Sequence, residues 1–288
     1  MTSSLSSLQE AVRQAVRTLA DAGIDSAGAD AVALAAHALK TTTGEVHRLM
    51  IMGSPAPDGL GDLVAERARR VPLQHLTGTA GFRRLELSVG PGVFVPRFET
   101  ELVAGLAISH LIRMDRLVAV VVDLCTGSGA IALAVKDEVP EAEVHAVELS
   151  DLAHAWAVRN RDDLGLDVDI RLGDATLAFP DLEAAVDVVV SNPPYIPVGA
   201  VPNDPEVRDH DPEVALYGGS SDGLRIPLEV AARAAVLLRQ GGFFVMEHAD
   251  VQGSSLPAAL GATGSWRDIQ DHEDLNGRPR AVTAVRSG

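Results

Sequence analysis

Cysteine is almost absent from the sequence: Cys125 is the single one among 288 residues, so no disulfide can form within the chain. Long apolar runs are absent too, since none approaches the roughly 20 residues of a membrane-spanning helix. Residues 1–8 lack the basic start and apolar middle of a signal peptide. We therefore expect a cytoplasmic protein without a membrane partner.

Basic residues are scarce relative to acidic ones, with 24 Lys and Arg against 40 Asp and Glu and a formal net charge of -16. Such a surface repels phosphate backbones, so we expect no direct nucleic-acid substrate. The one basic cluster, at 67–70 and 83–84, is interpreted as a solvated helix end. The nine histidines show no supported metal-ligand spacing, so no metal site is expected.

The chain is too long for one small core and predicts two domains. Apolar residues at helical spacing over 5–22, and further helical stretches near 43–52 and 59–71, predict an N-terminal helical domain over residues 1–76. Alternating residues in 85–89, a Gly-Pro-Gly turn and the apolar segment 93–95 predict a β-hairpin. We assign residues 77–98 to this hairpin linker and the helical domain to substrate recognition.

From about residue 100 the pattern changes to strands that alternate with helices. This alternation predicts a Rossmann-like, doubly wound α/β domain over residues 99–288 with a mostly parallel sheet. The long Pro-, Gly- and Asp-rich segment 196–223 is interpreted as a functional loop. The predicted strands cover 118–124, 144–148, 168–172, 186–191 and 243–247, followed by two short C-terminal strands, and the predicted helices cover 129–138, 151–164, 225–239 and 251–260.

A glycine-rich turn follows the first predicted strand of this domain and opens a helix. Glycines let the backbone approach a ligand closely, and the N-terminus of a helix offers free N–H groups. The pattern suits NAD as well as S-adenosylmethionine, because it also fits the dinucleotide fingerprint. The candidate cofactor-binding residues of this turn are Cys125, Thr126, Gly127, Ser128 and Gly129.

Acidic residues follow the next two predicted strands. Glu148 ends the second strand, 19 residues beyond Gly129, where a carboxylate can accept both hydroxyls of a ribose. Asp174 and Ala175 follow the third strand, where Asp174 can meet an adenine amino group. We therefore add these three residues to the candidate cofactor site.

The tetrapeptide Asn192-Pro193-Pro194-Tyr195 decides between the cofactors, because it suits methyl transfer to a planar nitrogen. The Asn192 side-chain oxygen and the Pro193 carbonyl can each accept one N–H of a primary amide. Proline fixes φ, so the carbonyl stays aimed at the substrate, and Tyr195 offers a flat face. All four residues are candidate catalytic and substrate-binding residues, and Asn192 is also a candidate cofactor contact.

These residues resemble the protein-(glutamine-N5) methyltransferases, the HemK-like family that modifies peptide-chain release factors. The resemblance implies a seven-stranded class I S-adenosyl-L-methionine-dependent methyltransferase domain whose last strand is antiparallel, preceded by a helical domain. It also implies methylation of the glutamine in the Gly-Gly-Gln motif of class-1 release factors. Its landmarks are 70–78, 95–101, 123–129, 191–197, 206–207, 215–219, 222–224 and 274–280.

The sequence departs from the family pattern at four places. Cys125 stands where the family usually has glycine, and Phe98 replaces the common second proline after Arg97. Ala175 is smaller than the usual residue, so the wall against adenine has to come from elsewhere. Residues 247–249 read Glu-His-Ala instead of the usual Glu-Ile-Gly.

Other functions remain open from the residues alone. Exocyclic amines of nucleic-acid bases present a similar planar nitrogen, although the sequence has neither a basic surface nor a target-reading domain. An NAD-dependent dehydrogenase is allowed by the glycine turn but gives Asn192–Tyr195 no role, and a non-catalytic binding protein would not need them. The predicted mechanism is direct in-line methyl transfer without a general base, governed by orientation and electrostatics.

Overall fold

The computed structural model describes residues 7–114 and 116–288 and contains two compact units. One unit runs to Thr79 and also contains Pro202–His210. The other consists of Ala80–Val201 and Asp211–Gly288. The roles assigned from the sequence to residues 1–76 and 77–98 stay predictions.

Eleven α-helices and nine β-strands form in the described residues. The helices are α1 Leu8–Asp21, α2 Ala27–Leu39, α3 Thr43–Ile51, α4 Leu60–Ala68, α5 Leu73–Thr77, α6 Thr100–Arg113, α7 Ala130–Glu138, α8 Asp151–Leu164, α9 Pro205–His210, α10 Arg225–Leu237 and α11 Ser255–Ala262. The strands are β1 Thr79–Phe82, β2 Leu85–Ser88, β3 Val120–Leu124, β4 Glu143–Glu148, β5 Val168–Leu172, β6 Val186–Ser191, β7 Leu238–Glu247, β8 Trp266–Glu273 and β9 Pro279–Arg286. No helix of the described chain is long and apolar enough to cross a membrane.

The first unit is helical, as the sequence predicted. A capping box starts α1: the backbone N–H of Glu10 donates to the Ser7 hydroxyl, and that of Ser7 donates to the Glu10 carboxylate. The start predicted at residue 5 lies outside the described residues. Leu8, Leu19 and Leu34 are fully buried and belong to the apolar core of α1–α4. The short helix α9 belongs to this unit although it is about 120 residues distant in sequence.

Seven strands of the second unit form one sheet in the order β5-β4-β3-β6-β7-β9-β8. Strands β3 to β7 are parallel, and β9 runs antiparallel between β7 and β8. The predicted Rossmann-like sheet with seven strands and an antiparallel last strand is therefore confirmed. The strand order reverses between β3 and β6, and ligands bind such sheets at the crevice that opens there.

Both faces of the sheet are covered, so successive apolar residues of β3 and β6 pack into cores on opposite faces. Val121 of β3 belongs to the core on the face packed by α6 and α7, whereas Val122 belongs to the core packed by α10 and α11. All six residues of β6 are buried. A strand with two buried faces reads as a continuous apolar run, which is why the sequence predicted both strands.

The predicted hairpin between 85–89 and 93–95 is wrong. The two-stranded sheet pairs β1 with β2, and the turn lies at Arg83, whose φ is 52°. The Gly-Pro-Gly segment does turn at 91–92, but no strand follows it, and its glycines pack closely on α8: a Cβ on Gly90 would lie 2.7 Å from the Trp156 ring. Val93 and Val95 are buried in the cluster that contains Trp156.

Other elements differ from the sequence prediction. Helix α6 was not predicted, and α9 interrupts the predicted loop 196–223. Strand β7 begins at Leu238, five residues before the predicted start. The basic cluster is a solvated helix end only in part: Arg69 is exposed directly after α4, whereas Arg67 is 7% exposed and pairs with Asp30 and Glu206. Helical spacing was missed in α6 because its buried residues include small alanines.

Candidate active site

The glycine-rich turn lies between the end of β3 and the start of α7. Three of its residues adopt the left-handed region: Cys125 with φ 68°, Gly127 with φ 59° and Gly129 with φ 85°. A Cβ added to Gly127 would meet open space. The turn therefore leaves the backbone at Gly127 uncovered, which is what the close approach of a ligand requires.

A buried carboxylate holds this turn in place. Oδ2 of Asp123 accepts hydrogen bonds from the Thr126 hydroxyl at 2.6 Å and from the Ala132 backbone N–H at 3.2 Å. Asp123 is fully buried, and that burial raises the pKa of its carboxyl to about 7. The contact joins the end of β3 to the first turns of α7, so the backbone between them is fixed.

Glu148 lies against the same turn. Its Oε2 accepts from the Gly127 backbone N–H at 2.8 Å, and its Oε1 accepts from the Ser150 backbone N–H at 2.8 Å. Each carboxylate oxygen has a second lone pair, which leaves two acceptor positions for hydroxyl groups. The structure thus brings the two main parts of the predicted cofactor site together.

Asp174 and Ala175 follow β5 at the same edge of the sheet. The Asp174 carboxylate is exposed and accepts from the Thr176 backbone N–H and hydroxyl, both at 2.8 Å. Ala175 is buried in the core on the α10 face. Burial, followed by the charges of Glu148, Asp123 and Asp174, raises the pKa of the Cys125 thiol, so this cysteine stays protonated and is a poor nucleophile.

The tetrapeptide Asn192–Tyr195 follows β6 beside the glycine turn. The strand ends are neighbours, since Leu124 and Ser191 are paired and the Ser191 hydroxyl donates to the Leu124 carbonyl at 2.6 Å. The Asn192 side-chain nitrogen donates to the Thr100 hydroxyl at 3.2 Å. That bond orients the amide, and its oxygen is the atom that can accept a substrate N–H. Pro193 is buried and Pro194 is half-buried.

Tyr195 is held at both ends. Its hydroxyl donates to Oε1 of Glu247 at 3.0 Å, and its backbone carbonyl accepts from the Gln252 side-chain nitrogen at 3.0 Å. Burial and the adjacent Glu247 raise the pKa of Tyr195 well above its usual value. Burial also raises the pKa of Glu247, against the opposing hydrogen bonds of Thr100 and Tyr195.

Sequence reasoning missed Thr100, Glu247 and Gln252 as parts of this site. A usable signal exists for Glu247, because it is a charged residue at the end of an apolar strand, β7, that neighbours β6 in the sheet. Thr100 and Gln252 are distant in sequence and carry no such signal. Among the described residues, no group of three or more His, Cys, Asp and Glu side chains could hold a metal ion.

The segment 95–101, at the start of α6, supports the site through polar contacts. Arg97 pairs with Asp211 at 2.9 Å, and Oε1 of Glu101 accepts from the Arg83 backbone N–H at 2.9 Å. Phe98, one of the departures from the family pattern, is 83% exposed. Glu101 therefore supports the β1–β2 turn, while Thr100, in the first turn of α6, reaches Asn192.

Comparisons with known proteins agree with this geometry. Residues 10–78 match the family described as PrmC N-terminal domain, and residues 85–202 match the family described as Methyltransferase small domain. The release factor glutamine methyltransferase of Streptomyces coelicolor is 51% identical over 282 residues, which cover 96% of this chain and 97% of that protein. The chain belongs to the release factor glutamine methyltransferase family. The cofactor of this family is S-adenosyl-L-methionine.

Two further relatives bear on function and fold. The 4-amino-L-phenylalanine/4-methylamino-L-phenylalanine methyltransferase of Streptomyces pristinaespiralis is 38% identical over 100% of this chain and 98% of that protein. A crystal structure of a methyltransferase from Pyrococcus furiosus matches with a TM-score of 0.50 and 17% identity, over 71% of this chain and 90% of that one. At this identity the second match shows the fold alone.

The residues present fit S-adenosyl-L-methionine. The open space beside Gly127, the left-handed turn and the half-buried Glu148 carboxylate suit a ligand that carries a ribose diol. The buried carboxylate of Asp123 fixes the turn without occupying that space. The chemistry of these groups therefore agrees with the cofactor of the family.

Proposed function

We propose that this protein transfers the methyl group of S-adenosyl-L-methionine to the side-chain amide nitrogen, N5, of the glutamine in the Gly-Gly-Gln motif of class-1 peptide-chain release factors. The observation that carries the proposal is the Asn192 amide, oriented by Thr100, beside the glycine turn at the switch point of the sheet. Relatives that are release factor glutamine methyltransferases support the same substrate class.

When bound, S-adenosyl-L-methionine supplies an electrophilic methyl group. Glu148 would accept the ribose hydroxyls, and the turn from Cys125 to Gly129 would hold the ligand through its exposed backbone. The Asn192 side-chain oxygen and the Pro193 carbonyl each accept one N–H of the glutamine amide, while Tyr195 covers one face of the planar group. These contacts would fix the direction of the nitrogen lone pair, and orientation would supply most of the acceleration. The methylated amide loses its proton to water.

A glutamine flanked by glycines suits this arrangement because a flexible loop can reach a deep pocket. We assign binding of the release factor to the helical unit, since the acceptor site itself contacts only a few residues of the factor. The net charge of -16 disfavours a substrate of bare nucleic acid. A translation factor as substrate places the reaction in the cytoplasm.

A second candidate substrate is a small aromatic amine. It is favoured by the full-length relative named for methylation of 4-amino-L-phenylalanine, because an aromatic amine is another planar nitrogen with N–H donors. The exocyclic amine of a nucleic-acid base has the same chemistry but lacks a comparable observation. The three substrates share the acceptor residues and differ in what surrounds the nitrogen.

One experiment separates these substrates. The protein is incubated with S-adenosyl-L-methionine and, in parallel, a class-1 release factor, the same factor with the motif glutamine changed to alanine, 4-amino-L-phenylalanine and a DNA oligonucleotide. Mass spectrometry should show a single added methyl group on the unmodified factor and none on the altered one. Methylation of the amine or the oligonucleotide, with none on the factor, would overturn the proposal.

A further inference from the structure

The carboxylate of Glu247 supports the acceptor site from a position that does not contact the substrate. Glu247 ends β7 and is 2% exposed. Its Oε1 accepts the hydrogen bond of the Tyr195 hydroxyl at 3.0 Å. The Thr100 hydroxyl is near enough to stabilise the ionised carboxylate, and the same hydroxyl accepts from the Asn192 side chain at 3.2 Å. Glu247 is thus linked to Tyr195 by a direct hydrogen bond.

The surroundings of Glu247 show little compensation for a buried charge. Oε2 is buried and has no partner at hydrogen-bonding distance in the part of the chain described. Arg280 of β9 is the nearby cation, but its guanidinium pairs with Asp274 at 3.2 Å. Glu99, before α6, adds a like charge. A buried acid with such incomplete pairing does not favour folding, so its placement here calls for another role.

The Tyr195 backbone is fixed separately. The Gln252 side-chain nitrogen donates to the carbonyls of Tyr195 and Asp222, at 3.0 and 2.9 Å, and its oxygen accepts from the Ala249 backbone N–H. A Cβ on Gly223 would lie 2.1 Å from the Tyr195 carbonyl oxygen, so that loop packs directly on the tetrapeptide. With the backbone held in this way, the remaining freedom is the ring torsion of Tyr195, which the hydroxyl contact restrains.

We propose that Glu247 is the positioning residue of the acceptor site, where its carboxylate fixes the ring of Tyr195 through the hydroxyl. This inference rests on the proposed function, because Tyr195 and Asn192 are there taken to face the planar nitrogen. Glu247 itself does not touch the substrate. Its removal should therefore slow methyl transfer and leave cofactor binding unchanged.

The kinetic test compares Glu247→Met with Glu247→Gln in the full chain. Methionine removes the acceptor at nearly constant length, whereas glutamine retains an oxygen for the Tyr195 hydroxyl. We expect Glu247→Met to lower kcat for the release factor by on the order of 100-fold, with the Kd for S-adenosyl-L-methionine unchanged, and Glu247→Gln to keep most of the activity. Equal kcat in Glu247→Met and the unaltered enzyme would refute the inference, as would a loss of cofactor affinity that matches the loss of kcat.

A double-mutant cycle tests whether Glu247 acts on methyl transfer through Tyr195. Tyr195→Phe removes the hydroxyl that Glu247 holds, so Glu247→Met should cost less in the Tyr195→Phe background than in the unaltered enzyme. If the fold-loss of kcat in the double variant equals the product of the two single losses, Glu247 acts independently of Tyr195. That result would overturn the inference.

A spectroscopic test of the same inference does not depend on enzyme activity. The chain has two tyrosines, so Tyr217→Phe leaves Tyr195 as the single one to label at 13Cζ. Its resonance should shift in Glu247→Met and, in the unaltered acid, should move with pH as Glu247 titrates. A resonance insensitive to both changes would refute the positioning role even if methyl transfer is normal. Absence of methyl transfer in the unaltered enzyme would instead refute the proposed function.

Discussion

The substitution Arg67→Met is expected to destabilise the helical unit strongly. Arg67 is 7% exposed and bridges two carboxylates, donating to Asp30 at 2.7 Å and to Glu206 at 2.6 Å. Methionine keeps the length of the side chain but leaves Asp30 buried without its cation and Glu206 with only Arg70, at 2.6 Å. Removal of one partner from a buried ion pair costs about 3–5 kcal/mol.

The pKa of Glu206 reflects the combined effect of its polar neighbours. Burial opposes ionisation of Glu206, but hydrogen bonds to Asp204, Arg67 and Arg70 outweigh it and lower the pKa from 4.5 to about 2. A depression of this size corresponds to roughly 3 kcal/mol. Because the folded-state pKa is lowered, this stabilisation is present above about pH 4.5 and is lost as the pH falls toward 2.

Urea unfolding at pH 7 can assign the loss to the correct unit. Both tryptophans, Trp156 and Trp266, lie in the sheet-containing unit, so their fluorescence reports on that unit, whereas circular dichroism reports helices of both. We expect Arg67→Met to add a transition at lower urea concentration in the circular dichroism signal, from unfolding of the helical unit. The urea midpoint measured by fluorescence should stay unchanged. An apolar replacement of Asp30, Arg67 and Glu206 together is the matched control and should recover most of the stability. A loss below about 1 kcal/mol in Arg67→Met would refute the reasoning.

Three further predictions concern the candidate active site. Glu148→Ala should weaken S-adenosyl-L-methionine binding, because charge-assisted hydroxyl contacts contribute roughly 1.5–3 kcal/mol each; calorimetry that shows unchanged affinity would remove Glu148 from the site. Asn192→Ala should abolish methyl transfer with the fold intact, since the amide loses an aligning acceptor, and near-normal turnover at saturating substrate would contradict this role. Cys125→Gly should be more stable than Cys125→Ala by about 0.5–1 kcal/mol in thermal unfolding, because φ at this position is 68° and only glycine adopts it without strain; equal stabilities would show that the strain is absent.

The proximity of the glycine turn, Glu148 and Asn192 could be predicted because it follows from strand order alone. Carboxyl ends of parallel strands meet at one edge, so residues that follow β3, β4 and β6 had to be neighbours. The hairpin prediction failed because an alternating pattern and a glycine turn do not show which segments pair, and the turn at 91–92 packs on α8 without a second strand. Contacts such as Thr100 with Asn192 depend on tertiary packing across 92 residues, which no local pattern encodes.

The membership of α9 in the helical unit has a consequence for protein engineering. Only six residues, 196–201, separate Asn192–Tyr195 in sequence from the segment that belongs to that unit. A chimera that exchanges the helical unit between relatives at a single junction near residue 76 would combine a foreign Arg67 position with the native Glu206. A successful exchange therefore needs three junctions, with Pro202–His210 transferred together with the N-terminal helices. A truncation before residue 76 carries the same penalty, since it leaves the Glu206 carboxylate without both of its arginines.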